Sequence, residues 1–197
     1  NKFSLLYFMD SLSQEDRDEI YEFNMPRTYF VDIETEIVDG FPKPEEAKSR
    51  ILTFSIITPE RKAIVLGLED LSAEQIKKIE DDTNKHFNNG DYDQRLQIDL
   101  TDVAITGALD KKDSRPLHMG ILDYMQLYDK YDRSGHVKES NALAFVSGAV
   151  LDGISKINYS GSLQDLYENN FTKYVFYNVV DSVLVYYIDK KLRSMEV

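Results

Sequence analysis

One stretch of the sequence decides the fold: Thr28-Tyr29-Phe30-Val31-Asp32-Ile33-Glu34. Its β-branched and aromatic residues predict a strand. Because side chains alternate between the two faces of a strand, Asp32 and Glu34 project to the same side. Neighbouring carboxylates repel each other, and burying them is costly unless something compensates. A divalent cation would compensate; two solvated acids at an exposed strand end are the alternative.

The chain around this stretch predicts strands first and then mostly helices. Residues 50–58 and 63–66 predict two more strands, with a hairpin at Pro59 that makes an antiparallel meander. Ser72 and Gln75 have capping-box spacing, which predicts a helix to about His86. Further helices are predicted from about 121, over 141–151, after Ser162 and over 171–192. This order is typical of one α/β domain with a mixed sheet flanked by helices.

The composition narrows the chemistry. The chain has 197 residues and a net charge of −12, which argues against a broad basic face that grips nucleic acid. Cysteine is absent and the three histidines are scattered, so disulfide frameworks and thiolate zinc sites are excluded. No apolar run approaches about 18 residues, so no membrane span is predicted. Oxygen ligands alone favour Mg²⁺ or Mn²⁺.

A second acidic position lies near the C-terminal end of the chain. Tyr177 and Asp181 are four residues apart in the predicted helix and therefore share one helix face. That face is the apolar one, so Asp181 is expected to point inward and to need a partner. The proposed metal would serve; the alternatives are a core tyrosine or a neighbouring loop that Asp181 caps.

Together the two acidic positions outline an exonuclease of the type that uses four acids and a tyrosine. Such a site holds two cations roughly 3.5–4 Å apart, one for the attacking water and one for the departing 3′ oxygen. Asp32 is suited to bridge both ions, and Glu34 and Asp181 would each serve one. The Tyr177 hydroxyl would orient the attacking water.

Several stretches, in order along the chain, carry a specific resemblance: VDIE (31–34), DGFPKP (39–44), LDYMQLY (122–128), YSGSLQDLY (159–167) and YVFYNVVD (174–181). Over about residues 28–192 the sequence resembles the 3′–5′ proofreading exonuclease domain of family B DNA polymerases of T-even-type bacteriophages and their marine relatives. The resemblance implies a ribonuclease-H-like fold and Mg²⁺ dependence. It also implies a DNA 3′ end as substrate, polymerase domains on the same or a split chain as partners, and the cytoplasm of an infected bacterial host as the location.

The middle of the chain departs from that family. Its middle motif, Asn-x-x-x-Phe/Tyr-Asp, is best matched by Asn88 and Asp93, which would make Asp93 the fourth carboxylate. The apolar strand that should precede the motif is missing, and the following helix is too short. Three explanations stay open: a pared-down middle, a segment missing from this chain, or a chance match.

The resemblance divides the chain into an arm with a short helix (1–27) and an exonuclease domain (28–197). The candidates for substrate binding are Asn88, Asn178 and Phe41, the last as a base-stacking side chain. The absence of an initial Met and a final helix that runs off the end predict a fragment of a longer polymerase. Two other functions stay open: a non-catalytic module of a polymerase, and a free-standing nuclease of the same superfamily.

Overall fold

In the computed structural model, the described residues are 11–16, 27–37, 48–88, 97–100, 122–131 and 140–192. The strands are β1 (Phe30–Thr35), β2 (Ile51–Ile57), β3 (Lys62–Gly67) and β4 (Gln97–Leu100). The helices are α1 (Ala73–Phe87), α2 (Tyr124–Tyr131), α3 (Leu143–Val150), α4 (Leu163–Asn169) and α5 (Phe171–Leu192).

The strands form one mixed sheet in the order β1-β2-β3-β4. The first three are antiparallel, as the sequence predicts, and β4 runs parallel to β3. Parallel neighbours require a crossover, and α1 supplies it. The predicted class, an α/β domain with a mixed sheet, is confirmed. The short strand β4 was not predicted, because four residues in a stretch without clear periodicity give too little signal.

The long helix α5 organises the core. It packs across β1, β2 and β3, and α1, α3 and α4 pack against it in turn. Thirteen residues of α5 are buried, nine of them apolar or aromatic, so this helix is enclosed nearly all round. Val175, Val179 and Val183 are among those with almost no exposed surface. Ile57 and Val65 lie on the sheet face beneath α5 and belong to the same buried core.

The first strand reverses the usual orientation of polar and apolar side chains. Val31 and Ile33 are 49% and 45% exposed, although they are two of the three apolar residues of the strand; the third, Phe30, is buried. Asp32 and Glu34 alternate with them and therefore face α5. A strand that presents its acids to the core breaks a local folding rule, and such departures are expected at functional sites.

Capping explains where two of the helices begin. Ser72 accepts a hydrogen bond from the backbone of Gln75, and the Gln75 side chain accepts one from the backbone of Ser72. Ser162 and Asp165 form the same reciprocal arrangement at the start of α4. These contacts satisfy backbone N–H groups that have no partner within the helix. The predicted helix starts at residues 72 and 162 are therefore confirmed.

The remaining predicted helices are also present. The structure places α5 at the predicted bounds, and α3 ends before Gly153, whose φ of 94° favours glycine. Near the beginning of the chain, Ser13 Oγ accepts a hydrogen bond from the Asp16 backbone, as at a helix start. The predicted end of that helix lies outside the described residues. Within the ranges that the structure describes, no helix is both long and apolar enough to cross a membrane.

Candidate metal centre

Three carboxylates from distant parts of the chain meet between β1 and α5. One oxygen from each of Asp32, Glu34 and Asp181 lies within 4.8 Å of the others. Asp181 is 4% exposed, and the two strand acids are partly buried. The predicted meeting of the strand acids with the helix acid is therefore confirmed.

Buried polar contacts fix the helix over the strands. Ser55, which pairs with Asp32 across the β1–β2 ladder, donates a hydrogen bond to the Asn178 carbonyl at 3.1 Å. Its hydroxyl also lies 2.6 Å from that of Ser182, and Ser55, Asn178 and Ser182 are all buried. These contacts join α5 to β2 beside the acids. Together with the apolar packing of α5 on the sheet, they place Asp181 opposite the two strand acids.

The pairing register changes immediately beyond the acids. Glu34 pairs with Thr53, whereas the next residue, Thr35, pairs with Ile51. Such an irregularity bends a strand and re-aims its side chains, and it is common beside functional sites. Here it ends the regular β1–β2 pairing directly after the second acid.

Asn178 orients the first carboxylate. Its amide Nδ2 donates a hydrogen bond to Asp32 Oδ2 at 2.7 Å. Asn178 has no exposed surface, whereas Asp32 is partly exposed. In this structure Asn178 contacts a proposed metal ligand directly, and its role in substrate binding stays a prediction.

Lys156 is a member of the site that the sequence did not reveal. Its Nζ lies 2.5 Å from Asp181 Oδ2, and its side chain is 28% exposed. The same ammonium lies 5.0 Å from the centre of the Tyr177 ring. A single lysine between Ser155 and Ile157 was the only signal, and nothing in the sequence indicated which acid it would meet.

The electrostatics show that the three acids crowd one another. Burial, together with the charges of Asp32 and Asp181, raises the pKa of Glu34 to about 7. Burial raises the pKa of Asp181 to about 6, although Lys156 opposes the shift. Burial also raises the pKa of Asp32, against the hydrogen bond from Asn178. Without a cation the cluster therefore retains protons that free acids would lose.

The ammonium of Lys156 stays charged. Burial disfavours its charge, but the Asp181 carboxylate and hydrogen bonds to Asp181 and Tyr177 outweigh burial and raise the pKa of Lys156. Because Lys156 contacts both Tyr177 and Asp181, Tyr177 lies beside the cluster. This confirms the prediction that Tyr177 and Asp181 share one face of the helix. A role for its hydroxyl toward water stays a prediction.

Three other predicted site residues are not brought to the cluster by the described structure. Asn88 is exposed at the C-cap of α1, where its backbone N–H donates to the Asn84 carbonyl. Asp93 and Phe41 lie outside the described residues. The fourth carboxylate therefore stays a prediction.

The donor set fits a hard divalent cation. All three ligand side chains offer oxygen, which Mg²⁺ and Mn²⁺ prefer. Asp181 Oδ1 is buried and has no hydrogen-bond partner among the described residues. A buried acceptor without a partner costs free energy, which a bound cation would recover.

Comparison with known proteins adds one relative. No family model matches the chain. A DNA-directed DNA polymerase of Escherichia phage RB69 is 33% identical over 73 residues. The match covers 37% of this chain and 8% of that polymerase, so the chain corresponds to a small part of its relative. The match supports a relationship to a phage DNA polymerase.

Proposed function

We propose that this chain is a metal-dependent 3′–5′ exonuclease domain, of ribonuclease-H-like fold, that proofreads for a DNA-directed DNA polymerase. The observation that carries the proposal is the convergence of Asp32, Glu34 and Asp181 within 4.8 Å, from opposite ends of the described chain. The match to a phage polymerase supports the polymerase relationship on which this proposal draws. The substrate is the 3′ end of a DNA strand, and the reaction is hydrolysis of the terminal phosphodiester.

The protein side chains have distinct parts in this proposal. Asp32, Glu34 and Asp181 hold the cations, with Asp32 as the shared ligand. Asn178 keeps Asp32 oriented through its amide. Tyr177 orients the attacking water through its hydroxyl. If Asp93 of the middle motif completes the site, it adds a fourth carboxylate.

Mg²⁺ or Mn²⁺, two ions during the reaction, would activate water and stabilise the departing oxygen. Partial burial of the ligands strengthens their interaction with the cations. The proposed partners are the polymerase domains, on this or a separate chain, in the cytoplasm of the infected host. A net charge of −12 implies weak DNA binding by this chain alone, because the excess of acidic groups repels the phosphates.

The test is degradation of a single-stranded oligonucleotide labelled at its 5′ end, with Mg²⁺ or Mn²⁺ present. We expect stepwise shortening from the 3′ end and release of nucleoside monophosphates. Asp32→Asn and Asp181→Asn should each abolish this activity while circular dichroism shows the fold retained. A phosphorothioate linkage at the 3′ end of the oligonucleotide should also prevent its degradation by the wild-type chain.

The matched control is Glu36→Gln. Glu36 follows the same strand but pairs with Arg50 at 2.8 Å, away from the carboxylate cluster, so its loss should leave cleavage unchanged. Full activity of Asp32→Asn would contradict the assignment of the site. Release of internal fragments in place of mononucleotides would contradict the assignment of the reaction.

A further inference from the structure

The first acid of β1 has polar neighbours on both β2 and α5. Asp32 pairs with Ser55 across the β1–β2 ladder and accepts the Asn178 amide at 2.7 Å. Ser55 and Asn178 are themselves joined, because the Ser55 hydroxyl donates to the Asn178 carbonyl. Asp32 therefore lies in a row with one polar residue of β2 and one of α5, both buried.

The second acid of β1 lies in a corresponding row. Glu34 is two residues further along the strand and pairs with Thr53 of β2. On α5, Tyr174 lies one turn before Asn178 and shares a buried cluster with Leu52, the residue next to Thr53. A helix turn rises about 5.4 Å and two strand residues span about 6.6 Å, so the two spacings nearly match. Tyr174 is therefore the residue of α5 in the row of Glu34.

This second row contains two buried hydroxyls without partners. Tyr174 and Thr53 are 1% and 0% exposed, and neither hydroxyl makes a hydrogen bond within the described ranges of the chain. Burial raises the pKa of Tyr174 and the charge of Glu34 adds to the rise, whereas the Thr53 hydroxyl opposes it. The three groups are therefore neighbours. A buried hydroxyl without a partner costs free energy, which a bond to a carboxylate would recover.

Aromatic neighbours hold the Tyr174 ring in place. The Tyr167 ring meets it edge-on with 5.2 Å between the ring centres, and the Phe171 ring stacks on it at 6.3 Å. A ring fixed in this way presents its hydroxyl in one direction, so little conformational freedom is lost when the hydroxyl forms a bond.

We propose that Tyr174 is a positioning residue for Glu34: its hydroxyl donates a hydrogen bond to the Glu34 carboxylate, as the Asn178 amide does to Asp32. The Thr53 hydroxyl donates in turn to the Tyr174 oxygen. Groups that hydrogen-bond a ligating carboxylate orient it and tune its affinity. This inference rests on the proposed function, because it gives Tyr174 a part in that site.

The first test is a double-mutant cycle by urea unfolding at pH 8 with EDTA present. Tyr174→Phe keeps the ring and removes only the hydroxyl. We expect it to lower the urea midpoint of the wild-type chain, but not that of a Glu34→Met chain, which has no carboxylate to accept the bond. Thr53→Val should show the same dependence on Glu34, whereas Thr53→Ser, which keeps a hydroxyl, should retain the wild-type midpoint.

The second test is the exonuclease rate at saturating Mn²⁺. Tyr174→Phe should lower kcat roughly tenfold, as expected for one hydrogen bond to a charged group. KM for the oligonucleotide should stay within about twofold, because a buried hydroxyl does not contact the DNA. The matched control is Tyr186→Phe on the same helix, where the ring packs edge-on against Phe30 at 5.6 Å, and its kcat should be unchanged.

Equal effects of Tyr174→Phe with and without the Glu34 carboxylate would overturn the proposal. A Tyr174→Phe chain with the stability and the kcat of wild type would also overturn it, because the hydroxyl would then be idle. If Tyr174→Phe does not fold, the comparison of Thr53→Val between the two backgrounds decides the same contact. If the wild-type chain has no exonuclease activity, the proposed function is wrong, while the metal-free cycle still decides whether Tyr174 binds Glu34.

Discussion

Replacing Glu34 by Gln should stabilise the metal-free protein at pH 8. The environment raises the pKa of Glu34 from an ordinary 4.5 to about 7. The folded chain therefore holds a proton that the unfolded chain has lost between those two pH values. Stability is lost as the pH rises through this window, because the folded state binds more protons there. The glutamine variant has no such penalty.

The size of the effect follows from the two pKa values. A change from 4.5 to about 7 corresponds to about 3 kcal/mol, at 1.36 kcal/mol per pKa unit. Glu34 is partly exposed, so solvent screening reduces this to about 1–3 kcal/mol at pH 8. At pH 5, about a quarter of the difference should remain.

The assay is urea unfolding followed by far-ultraviolet circular dichroism at pH 5 and pH 8, with EDTA present. Glu36→Gln is the matched control, because Arg50 lowers the pKa of Glu36 through a hydrogen bond, and the control should show no stabilisation at pH 8. A Glu34→Gln chain that is less stable than wild type at pH 8, or a difference equal at both pH values, would refute the reasoning.

Three further predictions address the site and the fold. At pH 8, a hundredfold excess of Mn²⁺ over its Kd should add about 2.7 kcal/mol to the free energy of unfolding, which raises Tm by about 5–10 °C. Scanning calorimetry should show a smaller rise at pH 5.5, because protons compete with the ion for Glu34 and Asp181. Ser55→Ala should destabilise the chain by about 1–2 kcal/mol in urea, because buried partners on α5 lose a hydrogen bond; no change would mean that the helix is positioned by apolar packing alone. Ser72→Ala should cost about 1 kcal/mol by the same measurement, since α1 loses its N-cap, and Ser160→Ala, an exposed position, is its control.

Local sequence determined most of the secondary structure and half of the site. The alternation of a strand places Asp32 and Glu34 on one side whatever surrounds them. The four-residue spacing of a helix places Tyr177 and Asp181 on one face. Serine with a hydrogen-bonding side chain three residues later marked the beginnings of α1 and α4. Each of these rules acts within a few residues, so the sequence alone was sufficient.

Tertiary structure decided which of these local features meet. Ser55 joins β2 to α5 beside the acids, and its partners Asn178 and Ser182 lie 123 and 127 residues away in the chain. Lys156 contacts Asp181 from a loop whose local sequence does not indicate a partner for the lysine. The parallel strand β4 depends on pairing with β3 across α1. Contacts between such distant segments arise from the packing of the whole chain, which no local pattern encodes.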